Sequence, residues 1–195
     1  MGKIVSFENI SELNAPKTIL LDTSFVINLT HQITHFPTAK PQDQEKAAKA
    51  SVSCKDFLKR LVPYRTRILT CDLVLSEFCH VIYRDILERK FGVEWKTKYE
   101  ANPAFIRTGH PKIRRAYTYF NVFLDDKMIQ VGEEIRRSTF TIMKHLDICP
   151  NDAYIVAVAL KNSIDGIAHF NSRDFNRISK YYSIDSYAPP ELAQY

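Results

Sequence analysis

Residues 18–29, TILLDTSFVINL, have the pattern of a strand, a tight turn and a helix. The first four residues are β-branched or apolar and are typical of a short buried strand. Asp22 follows at once, and Thr23 and Ser24 are good helix N-cap residues ahead of the segment FVINL. We therefore predict a strand over residues 18–21 and a helix that begins beside Asp22.

The same alternation continues on both sides of this stretch. Further strands are predicted at residues 67–70, 127–131, 166–170 and 182–187. Helices are predicted at residues 42–62, 71–90, 112–124, 133–146, 151–161 and 173–179. Residues 91–111 hold two glycines and two prolines and indicate a loop or a broken helix. Short strands alternating with helices predict an α/β sandwich around a mainly parallel sheet.

Composition excludes several function classes. The chain has 195 residues, of which 45% are hydrophobic and 25% charged, which suits one globular domain over residues 1–195. Only 5 glycines occur, and neither a dinucleotide-binding nor a P-loop motif is present. The longest apolar run, residues 153–160, is too short to cross a bilayer. We expect neither a glycine-rich nucleotide site nor a membrane span.

Cysteine usage indicates a reducing compartment. The four cysteines form no CxxC pair and have no histidine at zinc-finger spacing. The N-terminal residues include early acids and lack the apolar core of a signal peptide. We therefore expect reduced thiols and a cytoplasmic protein.

The positive charge of the chain is concentrated in residues 84–120. The whole sequence carries 27 basic and 22 acidic residues, and this segment holds nine of the basic residues against four of the acids. Aromatic residues are interspersed, a combination that suits a phosphate backbone with stacked bases. A solvated helical surface is the alternative. The candidate RNA contacts are Arg107, Lys112, Arg114 and Arg115.

Four acids are candidates for a common site. Asp22 and Asp174 follow predicted strands. Glu77 lies about two turns into the helix predicted at residues 71–90, and Asp152 lies in the first turn of the helix predicted at residues 151–161. Ligands of parallel α/β sheets gather at the carboxyl ends of the strands, so these side chains can converge there. Each acid alone could instead serve as a turn residue, a helix-terminal charge or an exposed polar group.

Clustered carboxylates require a compensating cation, and oxygen ligands favour Mg²⁺ or Mn²⁺. Such ions orient phosphodiesters, help generate hydroxide from water and stabilise the leaving oxygen, which makes phosphodiester hydrolysis the predicted reaction. A phosphatase with Asp22 as nucleophile is a weaker alternative, because the motif LDTSF lacks a second aspartate two residues further on.

Four motifs, in this order, resemble the PIN-domain ribonucleases, especially VapC-type toxins of toxin–antitoxin pairs. They are ILLDTSFVI, LTCDLVLSEFCHVI, NDAYIVAVAL and HFNSRDFNRI. The resemblance implies a three-layer α/β/α sandwich and a metal-dependent endoribonuclease acting on structured RNA such as tRNA or rRNA. It implies Mg²⁺ or Mn²⁺ ligands at Asp22, Glu77, Asp152 and Asp174, with Ser24 and Asn171 in supporting positions.

The chain also departs from that family pattern. His169 stands where the family commonly has threonine, and Asn171 stands where a carboxylate is also found, which leaves one or two metal ions open. The chain is longer than a compact VapC toxin, with predicted insertions at residues 31–56 and 91–120. An antitoxin and a second copy of the chain are the partners that the resemblance implies. A housekeeping RNA-processing nuclease and a silent RNA- or partner-binding module remain alternatives.

Overall fold

The computed structural model describes residues 1–30, 41–101, 107, 109–124, 129 and 132–193. Residues 31–40 of the first predicted insertion lie outside the described residues, as do residues 102–106 and 108 of the second. Of the strand predicted at residues 127–131, only Ile129 is described, and it forms an isolated parallel bridge with Cys71.

The core of the fold is a parallel sheet of five strands in the order β1-β5-β4-β2-β3. In this sheet Leu20 is paired with Leu69 on one side and with Ile167 on the other. The strands span Ile4–Ser6 (β1), Thr18–Leu21 (β2), Arg67–Leu69 (β3), Gly166–Ala168 (β4) and Asp185–Ala188 (β5). The prediction of β2 is confirmed at both ends, and β1 was not predicted. Strands β3 and β4 end earlier than predicted, and β5 is shifted towards the C-terminus.

Eight α-helices lie in the described part of the chain. They span Thr23–Leu29 (α1), Pro41–Leu61 (α2), Asp72–Phe91 (α3), Trp95–Ala101 (α4), His110–Asn121 (α5), Glu133–Leu146 (α6), Pro150–Lys161 (α7) and Ser172–Tyr181 (α8). Helix α4 lies within residues 91–111, where a loop or a broken helix was predicted, and the described part of this stretch is a broken helix between α3 and α5. Gly92, with a φ of 62°, ends α3 and thus allows a second helix to follow within a few residues.

Burial explains how these elements assemble. The inner strand β2 has three fully buried residues, Ile19, Leu20 and Leu21, as expected for a strand covered on both faces. Helix α7 is apolar almost all round and buries most of its length. The predicted three-layer α/β/α sandwich with a parallel sheet is therefore confirmed. Among the described residues, no helix is both long enough and apolar enough to cross a membrane.

Candidate active site

Asp22 stands at the carboxyl end of β2 and caps helix α1. Its Oδ2 accepts hydrogen bonds from the backbone N–H of Ser24 at 3.2 Å and from the Ser24 hydroxyl at 2.5 Å. The N-cap is therefore Asp22, and the expectation of a cap at Thr23 or Ser24 is wrong. Burial raises the pKa of Asp22, which is 6% exposed; the Ser24 hydrogen bonds oppose this rise, and the negative charge of Glu77 adds to it.

Ser24 connects the ends of two neighbouring strands. Its hydroxyl donates to Asp22 after β2 and accepts the backbone N–H of Phe170 after β4, at 2.9 Å. The predicted supporting position of Ser24 thus has a physical basis, because one hydroxyl fixes both chain segments at the same edge of the sheet. Ser24 therefore holds the loop after β4 against the carboxylate of Asp22.

Glu77 lies in α3 and is held from two other helices. Its Oε2 accepts a hydrogen bond from the hydroxyl of Thr23 at 2.5 Å, and its Oε1 accepts one from the side-chain amide of Asn151. Thr23 and Asn151 were missed as site residues. The only signal in the sequence is that each adjoins a predicted acid, Asp22 or Asp152.

Asp152 occupies the first turn of α7 and is 8% exposed. Burial, together with the negative charges of Asp22 and Asp174, raises its pKa to about 7. Its Oδ2 accepts a hydrogen bond from the side-chain amide of Asn171 at 2.9 Å. Asp152 therefore loses its proton near neutral pH.

Asp174 lies in the first turn of α8, and its Oδ2 accepts from the same amide of Asn171 at 3.2 Å. Its Oδ1 accepts a hydrogen bond from Arg177 at 3.3 Å. Arg177 also donates to the backbone carbonyl of Leu146, at 2.9 Å, which fixes the guanidinium against the end of α6. Arg177 was missed as a site residue, although its spacing of three residues from Asp174 on a helix was a usable signal.

His169, the residue found in place of the family threonine, lies fully buried beneath these acids. Its Nδ1 accepts the backbone N–H of Asn171 at 3.1 Å, and its Nε2 lies 2.6 Å from the hydroxyl of Ser186. Burial lowers the pKa of His169 to about 3, so the ring is neutral at physiological pH.

The four predicted acids are thus neighbours that come from four separate elements. The family model for the PIN domain matches residues 19–181, a range that includes all four acids. The chain belongs to the PIN domain family. PIN domains are generally metal-dependent nucleases. The search of curated proteins found no match to this PIN domain.

The donor set of this PIN domain suits a hard divalent cation. All four acids offer oxygen ligands, and the pKa values of Asp22 and Asp152 are raised partly by neighbouring negative charge, a cost that a bound cation relieves. Within the described part of the chain, however, no three His, Cys, Asp or Glu side chains lie close enough together to hold one ion. An ion shared by three of these carboxylates therefore requires the side chains to move.

The predicted RNA contacts lie apart from the acids. Arg107, Arg114 and Arg115 are all exposed. Arg114 and Arg115 also line an open cavity of about 1100 Å³ between α3 and α5. Leu75 and Cys79 of α3 line the same cavity. Glu77 is two residues from both Leu75 and Cys79, and two residues correspond to a rotation of about 200° around the helix axis. The cavity and the acids are thus on opposite flanks of α3.

Lys112 belongs to the same basic surface. Burial lowers its pKa, and the positive charges of Arg89 and Arg115 lower it further. Three cations of α3 and α5 therefore lie close enough to repel one another. Such a concentration of like charge is relieved by an anionic partner.

Proposed function

We propose that this PIN domain is a metal-dependent endoribonuclease of the VapC type that cleaves structured RNA, such as tRNA or rRNA, in the cytoplasm. The observation that carries the proposal is the meeting of Asp22, Glu77, Asp152 and Asp174 at one edge of the sheet. Asp22 and Asp152 are buried, and buried acids are costly unless they are compensated, so the convergence of the four acids favours a site that binds a cation. An antitoxin and a second copy of the chain are the proposed protein partners.

In this proposal the four carboxylates would hold Mg²⁺ or Mn²⁺ after the side-chain movement that sharing one ion requires. When bound, the ion supplies a Lewis acid that orients the phosphodiester, favours ionisation of water and stabilises the leaving oxygen. The protein positions the carboxylates and takes the proton of the attacking water on one of them.

Each carboxylate has its own support in the protein. The hydroxyl of Ser24 orients Asp22, and Thr23 and Asn151 hold the two oxygens of Glu77. Asn171 donates to both Asp152 and Asp174, while Arg177 partly neutralises Asp174. Because these contacts already restrict the side chains, less side-chain conformational entropy is lost when substrate binds.

The basic surface supplies the RNA contacts in this proposal. Arg107, Lys112, Arg114 and Arg115 would bind backbone phosphates, and Tyr83 and Tyr117 of the adjoining cavity offer aromatic rings to unpaired bases. Because this surface lies across α3 from Glu77, it would bind nucleotides away from the scissile bond. Substrate selection and cleavage thus use different parts of the molecule.

Cleavage of purified tRNA and rRNA fragments tests the proposal. Wild type should cleave internal bonds with Mg²⁺ or Mn²⁺ and lose activity in EDTA, and Asp22→Asn should be inactive under all conditions. Asp56→Asn is the matched control, because Asp56 is an exposed residue of α2 whose carboxylate pairs with Lys59 on the same helix. Equal cleavage by wild type and Asp22→Asn, or equal cleavage with and without EDTA, would refute the metal-dependent mechanism.

Expression in a bacterial host tests the toxin assignment separately. Wild type should arrest growth, Asp22→Asn should not, and co-expression of a neighbouring antitoxin gene should restore growth. RNA cleavage in vitro without growth arrest would overturn the toxin assignment and favour the housekeeping nuclease.

A further inference from the structure

His169 uses both ring nitrogens within the protein interior. Nδ1 accepts the backbone N–H of Asn171 at 3.1 Å, so this nitrogen carries no proton. The proton of the neutral ring is therefore on Nε2, which donates to the Ser186 hydroxyl at 2.6 Å. The ring also stacks on Phe175, with 4.2 Å between ring centroids. Its tautomer and its orientation are thus both fixed by neighbours.

The residue that His169 holds is the one that joins two of the acids. Asn171 precedes α8 and its side chain does not cap that helix. The Nδ2 atom of Asn171 donates instead to Asp152, at 2.9 Å, and to Asp174, at 3.2 Å. The position of the Asn171 backbone therefore decides whether one amide can reach both carboxylates.

Ser186 extends this chain of contacts into the sheet. It lies in β5, is buried, and its backbone N–H donates to the carbonyl of Lys3 at 2.8 Å. His169 itself donates its backbone N–H to the carbonyl of Tyr187 at 3.0 Å. The imidazole thus links a loop at the acids to a rigid strand.

We infer that His169 is a positioning residue of the acidic site, which holds the Asn171 backbone through Nδ1 so that the Asn171 amide keeps Asp152 and Asp174 together. The inference rests on the proposed nuclease function for its effect on turnover. A direct role in proton transfer does not fit, because the ring is fully buried and its two nitrogens contact Asn171 and Ser186. Ser186 in turn accepts the Nε2 proton and holds the orientation of the ring, as outer hydrogen-bond partners do for ligating histidines.

Two substitutions separate positioning from packing. His169→Asn places an amide oxygen near the position of Nδ1, and His169→Gln places an amide nitrogen near that of Nε2. Both variants lose the ring stacked on Phe175, so their losses of packing are comparable. They differ in which hydrogen bond they keep: His169→Asn keeps the bond to Asn171, and His169→Gln keeps the bond to Ser186.

Three measurements on the full chain test the inference: kcat and KM for RNA per folded molecule, the affinity for Mn²⁺ alone, and the NMR resonances of the Asn171 backbone and side-chain amides. His169→Asn should stay close to wild type in all three. His169→Gln should lower kcat and Mn²⁺ affinity by about 10- to 100-fold, the range for lost outer-shell contacts, with unchanged KM and shifted Asn171 resonances.

Equal kcat, Mn²⁺ affinity and Asn171 resonances in the two variants would overturn the inference, since packing alone predicts equal effects. A His169→Asn variant more impaired than His169→Gln would also overturn it. If wild type cleaves no RNA, the proposed function fails, while the Mn²⁺ affinity and the Asn171 resonances of the metal-free protein still decide the role of His169.

Discussion

Replacing Asp152 with asparagine would stabilise the metal-free protein at pH 8. The pKa of the Asp152 carboxyl is raised from its ordinary value of 3.8 to about 7 in the folded protein, so the carboxyl keeps its proton up to about pH 7. Between these values the folded state binds more protons than the unfolded state, so stability falls as the pH rises. Asparagine has nearly the same shape and no charge, and it removes this loss.

The size of the effect follows from the same pKa. A rise from 3.8 to about 7 corresponds to at most about 4 kcal/mol at pH 8. Side-chain relaxation and entry of water reduce such a penalty, and we take about half, or about 2 kcal/mol. The lost charge also costs about 0.3–1 kcal/mol at the N-terminus of α7. We expect a net gain of about 1–2 kcal/mol, or a rise in Tm of about 3–6 °C for a chain of this size.

Urea unfolding in EDTA at pH 8 and pH 5, followed by circular dichroism, measures this gain. The advantage of Asp152→Asn should shrink as the pH falls to 5, because the folded wild type is then already protonated at this site. Asp56→Asn, on an exposed carboxylate of α2, should match wild type at both values. An Asp152→Asn protein that is no more stable than wild type at pH 8, or whose advantage is the same at both pH values, would refute the reasoning.

Three further results are expected. Ser24→Ala should lower the free energy of unfolding by about 1–3 kcal/mol, because the Asp22 carboxylate and the Phe170 N–H lose their hydrogen bonds to the hydroxyl. Ser24→Thr, which keeps a hydroxyl, is the control. Equal urea midpoints for wild type, Ser24→Ala and Ser24→Thr would contradict the expectation. The double variant Arg114→Gln/Arg115→Gln should weaken RNA binding and reduce the slope of log affinity against log salt by about 1.4 for single-stranded RNA. The control Arg60→Gln, on an exposed residue of α2, should leave the slope unchanged. An unaltered slope in the double variant would assign the charges of Arg114 and Arg115 to solubility. Mn²⁺ affinity should rise between pH 5 and pH 8, since Asp152 must release its proton to bind the ion. Calorimetry at pH 6 in two buffers of different ionisation enthalpy measures that proton release. Binding without proton release would count against Asp152 as a ligand.

Local patterns were sufficient for much of the fold. Strand β2 and the long helices were predicted because their apolar spacing is a property of each segment alone. Strand β1 was not predicted, because Ile4 and its neighbours become a strand through their pairing with β5 at the far end of the chain. Helix α4 was predicted only as part of a loop or broken helix, because glycine and proline flank a short segment of good helix formers.

The acids of the site were predictable for a related reason. Asp22 follows a recognisable strand, and parallel strands direct the residues after their carboxyl ends to one edge of the sheet. The partners of those acids were not predictable. Asn151 and Glu77 are 74 residues apart, and Thr23 and Glu77 are 54 residues apart, so no local pattern signals either hydrogen bond.

The sequence by itself determined the order of strands and helices along the chain and the place of each acid after a strand or within a helix, because these depend on the periodicity and turn chemistry of short segments. Only the tertiary structure decided that Asn171 joins Asp152 to Asp174, that His169 holds Asn171, and that the basic surface lies across α3 from Glu77. The reason is that Asp152 lies 19 residues from Asn171, and Ser186 lies 17 residues from His169, so the packing of separate elements brings these partners within reach.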